Sequence, residues 1–91
     1  MNCNYEMIVR GTVQGVGFRH FIKTKALELG VTGFVKNTPE GHVQIVVEGE
    51  ETDLKTLADW ARIGPPLARV TVVHISRSDF TGEWPNFSIR F

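Results

Sequence analysis

Three glycines, Gly11, Gly15 and Gly17, fall within seven residues, between a segment with strand character and one with helical character. Glycine weakens the interior of either element, so the chain must leave one and enter the other here, through a loop of demanding backbone geometry. Upstream, Tyr5 to Arg10 is apolar-rich, with Met7 and Val9 on one face and Ile8 on the other. This imperfect alternation fits a central strand partly covered on both sides. Downstream, Phe18, Phe21, Ile22, Ala26 and Leu29 make one apolar stripe at helical spacing, predicting a helix over Phe18–Leu29 with Gly30 as its C-terminal cap.

The remaining chain continues the alternation. Val31 to Thr38 reads as a strand, Pro39-Glu40-Gly41 as a turn and His42 to Gly49 as a second strand, together an antiparallel hairpin. In the second strand Val43, Ile45 and Val47 share a face opposite Gln44, Val46 and Glu48. Thr52 is placed to cap a second helix running to about Ile63, with Leu54, Leu57, Ala58 and Ala61 as its apolar face. Gly64-Pro65-Pro66 stops that helix. Ala68 to Ser76 is a Val- and Ile-rich strand, 78–85 a polar loop, and Phe87 to Phe91 a short last strand. The expectation is an α+β, ferredoxin-like βαββαβ two-layer sandwich. Right-handed crossovers put both helices on one face of an antiparallel sheet, with a short C-terminal strand added.

The chain has 91 residues, which is one domain on length, and neither repeats nor a linker divide it. Lys plus Arg and Asp plus Glu number ten each, giving zero formal net charge. A broad basic surface for nucleic acid is therefore not expected. No apolar run approaches the roughly 20 residues that span a bilayer, and Met1 to Glu6 lacks a signal-peptide pattern. Cys3 is the only cysteine, so no internal disulfide forms, and a lone thiol fits a reducing compartment. The expected location is cytoplasmic.

The chemistry concentrates in Val13-Gln14-Gly15-Val16-Gly17-Phe18-Arg19. Amides at a helix N-terminus are unpaired and carry partial positive charge, and a glycine-rich approach lets several converge on one anion. Gly15, Val16, Gly17, Phe18 and Arg19 thus offer a phosphate-sized cradle of backbone N–H groups, and the Arg19 fork can grip phosphate oxygens at two points. The segment is neither a Walker A loop nor a dinucleotide fingerprint. On spacing alone, a tight turn followed by a solvated arginine fits equally well. A second element, Gly33-Phe34-Val35-Lys36-Asn37-Thr38-Pro39-Glu40-Gly41, places Asn37 at a strand end near the first. There its amide is a candidate to hold a water, or it simply builds the turn.

Taken together, Gly11-Thr-Val-Gln-Gly-Val-Gly-Phe-Arg19 and Gly33-Phe-Val-Lys-Asn-Thr-x-x-Gly41 closely resemble the two signatures of the acylphosphatase family, and Asn86-Phe-Ser-Ile-Arg-Phe91 resembles its ending. The resemblance covers nearly the whole chain. It implies hydrolysis of acyl phosphates to a carboxylate and inorganic phosphate, with Arg19 as the substrate-binding and catalytic arginine and Asn37 orienting the nucleophilic water. Thr38 either braces the cradle or only serves the turn. The small acyl phosphate is the implied partner, with inorganic phosphate as product inhibitor, and the protein is expected to act as a monomer, without metal or other cofactor. Gly17 is smaller than the residue often found at its position, and Phe34 stands where Trp or Tyr is frequent.

Other residues carry less. His20, His42 and His74 lack a metal-ligand spacing such as H-x-x-x-H. Glu50, Glu51 and Asp53 gather where carboxylates favour a helix start, and Trp60 and Trp84 read as packing residues. RNA-recognition modules share the element order but stack bases on sheet aromatics, and His42-Val-Gln-Ile-Val-Val-Glu48 has none. The alternative within the same fold is a non-catalytic phosphate- or carbamoyl-phosphate-binding module.

Overall fold

The computed structural model describes residues 1–91. The elements run β1 (Asn2–Thr12), α1 (Phe18–Leu29), β2 (Thr32–Asn37), β3 (Val43–Glu50), α2 (Glu51–Ile63), β4 (Arg69–Asp79) and β5 (Phe87–Arg90). The five strands form one sheet in the order β4-β1-β3-β2-β5. Its inner face carries Tyr5, Met7, Val9, Val35, Val43, Ile45 and Val47, all buried. Phe18, Ile22 and Ala26 from α1 and Leu54, Leu57, Ala58 and Ala61 from α2 close over that face as a single core cluster. The two stripes read from the sequence are therefore the two helical halves of the core.

The four strands of the expected antiparallel sheet are present, and the added C-terminal strand, whose direction the sequence left open, makes the sheet mixed. β1, β2, β3 and β4 pair antiparallel, but β5 pairs parallel to β2, with Gly33 opposite Phe87 and Lys36 opposite Arg90. The cause is topological. β4 occupies one edge, so the chain crosses residues 80–86 to the far edge and enters beside β2 running in its direction. The crossing is pinned by Glu48, a buried carboxylate on β3 that is 1% exposed. Its Oε2 accepts from Asn4 Nδ2, Thr81 N and Thr81 Oγ1, and its Oε1 accepts from Gly82 N, at 2.8–2.9 Å.

The start of α2 also differs from expectation. Thr52 lies inside the helix, which begins at Glu51 with no side-chain cap. The amide of Glu51 itself donates to the Met1 carbonyl at 3.1 Å. Glu51 Oε2 accepts from Tyr5 Oη and Arg77 Nε instead, tying α2 to β1 and β4. Glu50 pairs with the Met1 amine. Helix α1 has the expected bounds, with Gly30 in the left-handed conformation closing it.

Candidate active site

Gly15 (φ 73°) and Gly17 (φ 80°) adopt left-handed conformations that L side chains rarely take, and these bends deliver the chain into α1. Gly17 is the N-cap residue, without a side-chain cap, and no acidic residue occupies the first turn. The first intrahelical bond is Phe21 N to Gly17 O at 3.0 Å, and the amides of residues 15–20 find no backbone acceptor within the protein. That leaves a run of outward N–H groups at the positive end of a twelve-residue helix. Val16 turns its side chain to the core, while Gly15 and Gly17 line the open side.

The loop bounds a cleft of about 210 Å³ lined by Val13, Gly15, Gly17, Phe18, Arg19, His20, Asn37, Ile89 and Phe91. Arg19 and Asn37, predicted from separate motifs, meet here. Asn37 is the last residue of β2, opposite Val43. Arg19 stands half-buried in the first turn of α1. Its Nη1 donates to the Arg90 carbonyl at 3.4 Å, and its guanidinium lies 4.6 Å from the Phe91 ring centroid. No Asp or Glu side chain lines the cleft, and Arg19 belongs to none of the four ion pairs. The guanidinium charge is therefore free to meet an external anion.

Thr38 bonds within the turn and, through its carbonyl, to Gln14 of the glycine loop. Its hydroxyl accepts from His42 N at 3.2 Å and its amide donates to the His42 carbonyl at 2.9 Å, closing the β2–β3 turn, and it does not line the cleft. His20 does line it, from an exposed position. The sequence reading missed Gln14. Its Nε2 donates to the carbonyls of Thr38 and His42 at 2.8 and 2.9 Å, fastening the glycine loop to the turn behind Asn37. It also missed the walls supplied by Val13, Ile89 and Phe91. A polar side chain set between glycines was the one available signal for Gln14. Phe91 had none, because only the parallel β2–β5 pairing brings it here.

Among known proteins, the family model described as Acylphosphatase matches residues 5–89. The acylphosphatase of Geotalea uraniireducens (strain Rf4) is 47% identical over 83 residues, which is 91% of this chain and 91% of that protein. The crystal structure of the acylphosphatase from Bacillus subtilis matches with a TM-score of 0.94 at 36% identity, covering 100% of both chains. The T. kodakarensis HypF structure matches with a TM-score of 0.84 at 33% identity over 98% of this chain, but over only 12% of that longer one.

Proposed function

The chain belongs to the acylphosphatase family and hydrolyses the carboxyl-phosphate anhydride of acyl phosphates, and from that premise we propose that Arg19, Asn37 and the amides of residues 15–20 carry out the reaction without a metal ion. The observation that supports this most is the meeting of Arg19 and Asn37 in one cleft at a helix N-terminus whose amides are unpaired.

The chemistry needs little more. The leaving carboxylate is a weak base, so no general acid has to protonate it. The phosphoryl transition state is loose, with charge spread over its equatorial oxygens. Catalysis is then a matter of positioning and fixed electrostatics. The amides of Gly15, Val16, Gly17, Phe18 and Arg19, extended by His20, take up the phosphoryl oxygens, and the Arg19 guanidinium grips two of them. Asn37 holds a water in line with the scissile P–O bond. Water adds to phosphorus, the P–O bond to the acyl oxygen breaks with its electron pair leaving on the carboxylate, and the phosphate oxygens accept the water's proton. Glu40, the one carboxylate in the two motifs, is exposed on the turn and outside the cleft lining, so charge neutralisation falls to Arg19 and the amides.

Inorganic phosphate, which resembles the transferred group, binds the same cradle as a product inhibitor. The protein acts as one domain over residues 1–91 and as a monomer in the cytoplasm. One core cluster serving both helices supports the first, and the buried, unpaired Cys3 fits the last.

The deciding experiment is turnover of benzoyl phosphate by the wild type, Arg19→Lys and Asn37→Ala. Lysine keeps the charge but loses the planar two-point grip. Each variant is expected to lose about 100- to 1,000-fold in kcat. Asn37→Ala is expected to keep phosphate affinity by calorimetry, because the anion is held elsewhere. Near-normal turnover of Arg19→Lys would remove Arg19 from its role, and loss of phosphate binding in Asn37→Ala would end the division of labour. A wild type that binds phosphate but turns over no acyl phosphate would mark a binding module.

A further inference from the structure

Arg19 is gripped by nothing on its own helix. The groups that hold its guanidinium come from the far end of the sequence: the Arg90 carbonyl at 3.4 Å and the Phe91 ring at 4.6 Å. Their backbone is in turn fixed to the strand bearing Asn37. β5 pairs in parallel with β2 so that Arg90 stands opposite Lys36, one residue before Asn37. The Arg90 guanidinium lies 3.8 Å from the Phe34 ring centroid, and Phe34 packs at 5.9 Å against Trp84. The fifth strand is thereby clamped to β2 and hands Arg19 its two contacts.

Phe91 itself is 99% exposed, so it contributes nothing to the core. Its ring lines the cleft, with the Arg19 guanidinium 4.6 Å from its centroid. We propose that Phe91 is a positioning residue for acyl-phosphate hydrolysis, its ring backing the Arg19 guanidinium and fixing its plane relative to the water held by Asn37. The proposal rests on the assignment of Arg19 to the phosphate. It makes β5 part of the catalytic apparatus as well as a sheet edge. Without the ring, Arg19 keeps its charge and reach but samples orientations that do not meet two phosphoryl oxygens together.

The test compares Phe91→Ala, Phe91→Leu and Phe91→Trp. Exposed cation–π contacts shift an equilibrium about two- to fivefold, and small misplacements of a reacting group cost more in rate. In Phe91→Ala and Phe91→Leu, the inhibition constant of phosphate is expected to rise about two- to fivefold. The value of kcat/KM for benzoyl phosphate is expected to fall about tenfold. Phe91→Trp is expected to restore both, because it offers a stronger ring. The thermal midpoint in phosphate-free buffer stays at the wild-type value in all three. By NMR, Arg19 side-chain protons show an upfield ring-current shift in wild type and Phe91→Trp that disappears in Phe91→Ala. Wild-type kinetics and phosphate affinity in Phe91→Ala would overturn the proposal, as would full rescue by Phe91→Leu. An inactive Arg19→Lys beside a fully active Phe91→Ala overturns the positioning role alone, whereas a fully active Arg19→Lys overturns it together with the assignment beneath it.

Discussion

Gln14 donates its side-chain amide to the carbonyl of Thr38 across 2.8 Å, and the same nitrogen reaches the His42 carbonyl at 2.9 Å. One side chain thus joins the glycine loop before α1 to the turn that follows Asn37.

Gln14→Ala removes both bonds, but the Thr38 carbonyl keeps the Gly41 amide and the His42 carbonyl keeps the Thr38 amide, so the cost is about 0.5–1.5 kcal/mol per bond rather than that of orphaned groups. The loop and turn then move independently, so the thermal midpoint and kcat are expected to fall together. Thermal unfolding and benzoyl phosphate kinetics on one preparation check this. A lowered midpoint with intact kcat would make Gln14 a structural tie only.

Phosphate will stabilise the fold through the cradle. At 100 times its dissociation constant a ligand adds about 2.7 kcal/mol. For a domain of this size that raises the thermal midpoint by on the order of 10 °C. Arg19→Gln is expected to lose most of this shift, and sodium chloride at matched ionic strength is expected not to reproduce it. Equal shifts in both proteins would reduce the effect to general salt action.

Exhaustive dialysis against EDTA is expected to leave acyl-phosphate hydrolysis unchanged, and later addition of Mg²⁺, Mn²⁺ or Zn²⁺ to add nothing. Hard cations need oxygen ligands, and no Asp or Glu side chain lines the cleft. Activity that disappears on chelation and returns with metal would overturn this and direct attention to Glu40 and His20.

Glu48 gives the fold an acid limit. Burial alone pushes its carboxyl up, but hydrogen bonds from Asn4, the Thr81 and Gly82 amides and the Thr81 hydroxyl hold it below the ordinary 4.5. A carboxyl lowered on folding contributes stability that is complete above its unfolded value and is lost as pH falls through its folded one. The wild type is therefore expected to lose stability steeply below about pH 4.5, as residues 80–86 come free. Glu48→Gln turns a donor toward a donor, costing about 1–3 kcal/mol at neutral pH and flattening the acid slope. Urea unfolding between pH 3 and 7 measures both. Parallel pH profiles for the two proteins would remove Glu48 from that role.

Much of this was legible in the sequence for identifiable reasons. Helix α1 has the bounds read from its stripe because Gly17 and Gly30 take left-handed conformations at its two ends. Arg19 and Asn37 were legible as candidates because their two motifs together resemble the family's signatures, whereas spacing alone left a plain turn open for each. Thr52 failed as a cap because the chain turns helical already at Glu51, directly after β3, and local spacing does not mark that earlier start. The direction of β5 depended on which sheet edge remained unfilled. Phe91 and Gln14 act through long-range partners, so their types alone assigned them nothing.

The position of β1 in the sheet has a bearing on how the protein comes into being. The first strand to leave the ribosome lies between β3 and β4, and its pairing with β4 extends to Asp79. Loops that must close over such separations slow the search for the native state. A nascent chain therefore waits for most of its length before this interior strand has both neighbours. β5 is made later still, so a chain arrested before Phe87 could assemble both helices on four strands and still lack the contacts that hold Arg19. The contacts around Arg19 therefore depend on the last strand of the sequence to be made.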